Sequence, residues 1–251
     1  MDGLHYIARL TPQGQLDTSF QDDGRVEVKA LGIVDTTMGL SQVTDDPTTG
    51  KLLAYGMTLS AEEPNVVGIV RQYDVNGNQT EFGENKVARI STQARNILIA
   101  GVATLPRNSG QFLLAHGSNM GTAVAIITAL TEQGKPFLEF NNGVPIFTDV
   151  GGSGAFNWAT AKEDTSKALH YLVAGNVSDR SFVSTFVMTR FLPDGRPDEN
   201  FTSVGALGTV PDFHTSLIAE IGFVQTSSNR VIIAGSSSGA PIVIAITLSG
   251  Q

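Results

Sequence analysis

The chain contains no cysteine, which removes disulfides, thiolate nucleophiles and cysteine metal sites in one step. The compartment stays open, because cytosolic proteins and bacterial exported proteins both manage without that residue. Positive charge is scarce as well: 16 Lys and Arg stand against 24 Asp and Glu, for a formal net charge of −8. No basic cluster gathers those cations, so the sequence lacks the electrostatic footprint that nucleic acid or an anionic membrane surface requires. Long apolar runs are also missing. The stretch 123–130 is far short of the roughly 20 residues that a membrane-crossing helix needs, so no membrane insertion is expected. The opening residues, MDGLHYIARL, lack a charged segment followed by an apolar core and are not expected to act as an export signal.

What the chain does have is apolar residues (41%) and 27 glycines. With 16% charged residues there is ample material for a core and no compositional case for disorder. Abundant glycine with few helix-favouring charges fits many short strands joined by tight turns.

The glycines are periodic. One ladder closes a turn at Thr11-Pro12-Gln13-Gly14, Asp74-Val75-Asn76-Gly77, Thr131-Glu132-Gln133-Gly134, Leu192-Pro193-Asp194-Gly195 and Leu248-Ser249-Gly250. A second follows a pair of aliphatics at Leu53-Ala54-Tyr55-Gly56, Leu114-Ala115-His116-Gly117, Leu172-Val173-Ala174-Gly175 and Ile233-Ala234-Gly235. Both step by about 60 residues, the sign of a repeat architecture. A third marker keeps the same phase, since Phe20, Phe82, Phe140 and Phe201 each follow a glycine of the first ladder closely.

Within one unit four strand candidates, a to d, are expected; in the second unit they cover 87–91, 96–105, 111–116 and 123–131. The b-to-c turns are polar in every unit, as hairpins demand. The expected fold is therefore all-β, a β-propeller of four-stranded blades: four repeat units of about 60 residues plus one extra strand, in four or five blades. The chain reads as a single repeat domain over 1–251, with units at 1–20 (partial), 21–82, 83–140, 141–201 and 202–251. A d-type strand opens the chain at 4–10 and another closes it at 241–248, giving one d strand too many. Either one d strand is spare, or the units belong to a longer array with an incomplete fifth blade; self-association through a terminal strand is a third outcome where such an edge is left open.

The strings Tyr6-Ile7-Ala8-Arg9-Leu10, Gln13-Gly14-Gln15-Leu16-Asp17-Thr18-Ser19-Phe20 and Asp23-Gly24-Arg25-Val26 resemble the delta-60 repeat, a bacterial family of β-propeller repeats. The fourth unit repeats the pattern with Thr189-Arg190-Phe191, Pro193-Asp194-Gly195, Asp198 and Phe201. The middle copies are degenerate: Gln72 and Ala129 stand where the arginine would be, and Phe137 replaces the aspartate. The resemblance implies a propeller and no enzymatic activity.

Short-range motifs for chemistry are few. Gly235-Ser236-Ser237-Ser238-Gly239 matches G-x-S-x-G, yet a hydrolase elbow leads a strand into a helix, and a strand is expected next. Asp74, Asn76 and Asn78 space oxygens like the start of a calcium loop, without the later Gly and Glu of that loop; a hairpin turn is the plainer reading. No cofactor and no catalytic residue is expected. The four histidines show no metal spacing. His116 is the most polar occupant of a strand position that other units fill with Tyr55, Ala174 and Ala234. Together with the c-to-d loops, it suggests a ligand-binding set of Tyr55, His116, Asn119, Asp179 and Arg180.

The leading functional expectation is a non-enzymatic binding or scaffold propeller with a protein or carbohydrate ligand, at the cell surface or outside the cell sooner than in the cytoplasm. The alternatives are an enzyme whose site is assembled at a central channel, or a structural segment of a larger secreted or surface protein.

Overall fold

Runs of aliphatic and β-branched residues between Gly, Pro and Asn become strands because a branched side chain packs well on a pleated surface. The computed structural model describes residues 5–28, 40–45, 50–58, 65–91, 96–104, 111–119, 122–148, 153–163, 169–178, 184–199, 208–215, 222–226, 230–237 and 240–247. Among these, the one helical element is a single 3-10 turn at Asn141–Gly143.

Among the described residues seventeen strands form five antiparallel sheets. The first pairs β1 (His5–Ala8) with β2 (Arg25–Val28). The second runs in chain order through β3 (Leu40–Asp45), β4 (Leu52–Thr58), β5 (Val67–Tyr73) and β6 (Ala88–Ile90). The third uses β7 (Asn96–Thr104), β8 (Gln111–Asn119), β9 (Thr122–Leu130) and β10 (Ile146–Thr148). The fourth uses β11 (Ser153–Glu163), β12 (Leu169–Ser178), β13 (Ser184–Phe191) and β14 (Gly208–Thr215). The fifth has β15 (Gly222–Thr226), β16 (Arg230–Ser237) and β17 (Ala240–Thr247) among the described residues. Four-stranded meanders of this kind are the building block of propeller blades.

The sheets are offset from the sequence units. Each complete sheet takes its b, c and d strands from one unit and its a strand from the next, as when β6 pairs with β5 across the boundary at Phe82. The surplus d strand is thereby accounted for. β1 is a d strand joined to the following a strand, β17 is a d strand joined to its own c strand, and every sheet holds one. The two terminal strands thus lie in different sheets.

A second difference concerns the aliphatic glycine ladder. Gly56, Gly175 and Gly235 oppose the d-strand residues Ile69, Val187 and Ile242, each eight positions before its turn glycine. In the third sheet that place belongs to Ala115, which opposes Ile126, and Gly117 lies two residues further along β8. The match between Leu114-Ala115-His116-Gly117 and the other strings is one of letters, out of register by two. Ala115 and its equivalents share a further feature invisible in the sequence. The b strand bulges there in all three complete sheets, between Leu40 and Gln42, Ile99 and Gly101, and Phe156 and Trp158, which raises local twist.

Sheets stack face to face. Ile7, Phe20, Val26 and Val28 bury themselves with Ala54 and Tyr73 between the first and second sheets. Leu53, Tyr55, Val70, Phe82, Ala88 and Ile90 meet Ile97, Ile99, Ile126 and Leu130 between the second and third. β11 packs across β7, β8 and β9 to continue the series.

Candidate functional site

Among the described residues polar chemistry concentrates where the first four d strands end in their turns; Gly250 of the fifth lies outside them. The turn is built identically each time: the N–H groups of Gly14, Gly77, Gly134 and Gly195 donate to the carbonyls of Thr11, Asp74, Thr131 and Leu192. All four glycines have left-handed φ, between 73° and 89°, which is the reason the first ladder is glycine. The turn then reaches across to the d-to-a connection of the preceding sheet. The N–H of Gln21, Gly83 and Asn141, each directly after a marker phenylalanine, donates to the carbonyl of Asn76, Gln133 and Asp194 at 2.9, 2.7 and 2.9 Å. Phe20, Phe82 and Phe140 are fully buried beside these contacts, and Phe140 meets Tyr171 edge to face at 5.5 Å. Two of the features that mark the repeat in sequence, the turn glycines and the phenylalanines, thus form one clasp between successive sheets. Phe201 lies outside the described residues.

Arginine and aspartate of the family pattern brace the same hairpin. Arg9 Nε donates to Asp17 Oδ2 at 2.9 Å, and Arg190 Nε to Asp198 Oδ2 at 2.7 Å. The degenerate copies keep the geometry with other chemistry. In the second unit the Thr80 hydroxyl donates to Gln72 Oε1 at 2.8 Å; in the third the backbone N–H of Phe137 still donates to the Ala129 carbonyl. Hydrogen bonds from the side chain and backbone of Ser19, with the Arg9 charge, hold the Asp17 carboxyl below its ordinary value. The Arg9 guanidinium also lies over the Phe20 ring at 4.9 Å.

One acid–base cluster is missed by sequence reasoning. His170 Nδ1 lies 3.5 Å from Asp198 Oδ2, and Asp198 is buried with Arg190 on its other side. The Arg-to-Asp spacing of eight residues, shared by Arg9–Asp17 and Arg190–Asp198, is the signal that could have marked the pair; nothing local announces His170, which reaches it from β12. Tyr171, next along that strand, has its phenol pushed up to about 12 by burial and by the Glu139 charge. It is a neutral hydroxyl throughout the ordinary pH range.

Asp74, Asn76 and Asn78 form a self-satisfied turn. Asp74 Oδ1 accepts the backbone N–H of Asn76 at 2.9 Å and of Asn78 at 2.8 Å, and Oδ2 accepts Asn78 Nδ2 at 3.1 Å. Partial burial pushes the Asp74 carboxyl up, but the hydrogen bonds from Asn78, Asn76 and Gly77 outweigh it and hold the group below its ordinary value. Asn78 Oδ1 accepts from Gln21 Nε2 at 2.9 Å. The side-chain oxygens of Asp74 and Asn78, two of the three residues that the spacing offers to calcium, are engaged by N–H donors. Among the described residues no group of three or more His, Asp or Glu is arranged to hold a metal.

Of the five ligand-binding residues expected from sequence, Tyr55, His116 and Asn119 lie among the described residues. Tyr55 is buried in the core between the second and third sheets, and burial raises its phenol above the ordinary value. His116 lies on β8 opposite Leu98 and Ala125. Leu114, opposite Ile127, is the register equivalent of Tyr55, which opposes Val70, so His116 does not share the Tyr55 position. Asn119 ends β8 opposite Thr122. Asp179 and Arg180 lie outside the described residues. The G-x-S-x-G string has its first three residues on β16, and β17 follows it, so it leads from strand to strand.

The profile of one family, described as Domain of unknown function (DUF5122) beta-propeller, matches residues 6–20. That segment holds β1, its turn, the Arg9–Asp17 pair and the buried Phe20, the most regular copy of the clasp. No curated protein and no solved structure matches the chain. What fold and match together support is a β-propeller repeat protein, all-β in character.

Proposed function

We propose that the chain is a non-enzymatic recognition or scaffold propeller of delta-60-type repeats, in four or five blades within one domain, with a protein or carbohydrate ligand met at the cell surface or outside the cell. The observation that supports it is where the polar groups are spent. Asp17, Asp74, Asp194 and Asp198 each accept hydrogen bonds from neighbours in their own turn or hairpin, so the repeat uses its carboxylates to shape hairpins. A stack of equivalent hairpins leaves the loops at its rim as the variable surface, and loops on a rigid scaffold are where recognition concentrates.

The c-to-d loops, with Asn119, Asp179 and Arg180, are the proposed contact surface. The test is a glycan array and a panel of immobilised surface proteins, probed with the parent and with a variant whose 179–183 loop is replaced by a Gly-Ser turn. Loss of binding at unchanged melting temperature supports the reading. Hydrolysis or another turnover of any array component, or binding untouched by loop exchange, overturns it.

A further inference from the structure

We infer that Asn142 is a site of spontaneous deamidation and backbone isomerisation in the folded protein, and that Asn76, in the same dipeptide, is protected from that chemistry by the clasp between sheets.

The chain holds two Asn-Gly pairs, Asn76-Gly77 and Asn142-Gly143. An asparagine side chain is open to attack at its Cγ by the backbone nitrogen of the next residue, and a following glycine, having no side chain, hinders that approach least. The nitrogen bonds to Cγ and gives up its proton, and the side-chain nitrogen leaves as ammonia. Water then opens the cyclic imide at either of its two carbonyls, which yields aspartate or isoaspartate. No reactant besides water is needed. The dipeptide ranks the two pairs alike, and both asparagines are exposed, so access to solvent does not separate them either.

What separates them is the peptide plane that has to turn. At Asn142 ψ is 29°, which sets the Gly143 nitrogen on the far side of the backbone from the Asn142 side chain, so the reaction waits for the 142–143 plane to rotate. One hydrogen bond holds that plane: Gly143 N–H donates to the Phe140 carbonyl at 2.9 Å. The Asn142 carbonyl accepts no hydrogen bond among the described residues. Rotation therefore opens a single 3-10 turn and leaves the neighbouring clasp, from Asn141 N–H to the Asp194 carbonyl, closed.

The 76–77 plane is pinned at both ends. Gly77 N–H donates to the Asp74 carbonyl at 3.0 Å, and the Asn76 carbonyl accepts the Gln21 backbone N–H at 2.9 Å and Gln21 Nε2 at 3.4 Å. The bonds to Gln21 are the clasp between the first and second sheets, so this plane turns only when that clasp parts. The space is filled as well, with Val26 and the Phe20 ring 2.7 and 3.0 Å from where a Cβ of Gly77 would lie. Local openings that break fewer contacts are more populated, and the reaction follows the opening. At Asn142 the isoaspartyl product adds one carbon to the main chain beside the Asn141 clasp, and either acid adds a negative charge to a chain of formal charge −8.

The experiment incubates the full chain in mildly alkaline buffer, once folded and once in concentrated urea. Each Asn-Gly peptide is then followed by proteolysis and mass spectrometry, with isoaspartate resolved from aspartate by chromatographic elution. Each folded rate is taken relative to the rate of the same peptide in urea, which removes the intrinsic chemistry, and circular dichroism checks that the folded sample stays folded. The expected result is conversion of Asn142 in the folded chain, with Asn76 slower by about tenfold or more, the factor that roughly one further net hydrogen bond supplies. An Asn142 that stays intact in the folded chain while it reacts in urea, or an Asn76 that reacts as readily as Asn142 in the folded chain, overturns the proposal.

Discussion

At Gly134 there is no room for a methyl group: an added Cβ would lie 2.6 Å from the Gly83 backbone nitrogen, far inside van der Waals contact. Gly77 is nearly as confined, with Val26 at 2.7 Å and the Phe20 ring at 3.0 Å, whereas Gly14 meets nothing within 4 Å among the described residues. All three share the left-handed backbone, so the comparison separates two reasons for one conserved letter of the repeat. Gly14→Ala carries only the cost of the left-handed conformation, about 1 kcal/mol. Gly134→Ala adds the displacement of the backbone at Gly83 in the preceding sheet, a further 1–3 kcal/mol or so. Thermal or urea melts of the two variants check this, and equal losses would remove the clasp as the cause.

The hairpin after each of the first four d strands is one device executed in three chemistries: an ion pair at Arg9–Asp17 and Arg190–Asp198, a neutral hydrogen bond at Thr80–Gln72, and a bare backbone bond at Phe137–Ala129. If the side chains only brace a shape that the backbone already holds, the chemistries are exchangeable as pairs and not singly. Asp198→Ala strands the Arg190 guanidinium beside a half-buried gap and should destabilise by about 2–3 kcal/mol. Arg190→Gln with Asp198→Thr, which copies the second unit, should return to within about 1 kcal/mol of the parent. A double variant as unstable as the single one would show that the charge itself is required. This element also shows what was legible beforehand. Strand positions in the second unit agree with expectation to within a residue or so at most ends, because turn glycines and branched runs act locally. The out-of-register Gly117, the bulges and the His170–Asp198 contact depend on how strands pair, which no local string records. Similar letters around His116 suggested a position shared with Tyr55 that cross-strand pairing denies.

The offset between sequence unit and sheet governs how the whole molecule can be divided. The repeat suggests cutting at the marker phenylalanines, yet a chain ended at residue 201 would lose β14 and leave β13 without its outer partner. A chain ended after Thr215 keeps the fourth sheet whole and removes only the fifth. Both truncations expose the same face of the fourth sheet, so the difference between them isolates the strand borrowed from the next unit. In a stack whose stability is a sum over units and their interfaces, the 1–215 chain should melt at a higher temperature and stay in solution better than 1–201. The shorter chain offers an unpaired edge of eight residues along Ser184–Phe191, and long apolar edges recruit other chains. Melting by circular dichroism together with gel filtration measures both effects. Equal stability in the two truncations would mean that β14 is an appendage and that the unit read from the sequence is the folding unit after all; a clear advantage for 1–215 makes the shared strand the element that ties each repeat to the one before it.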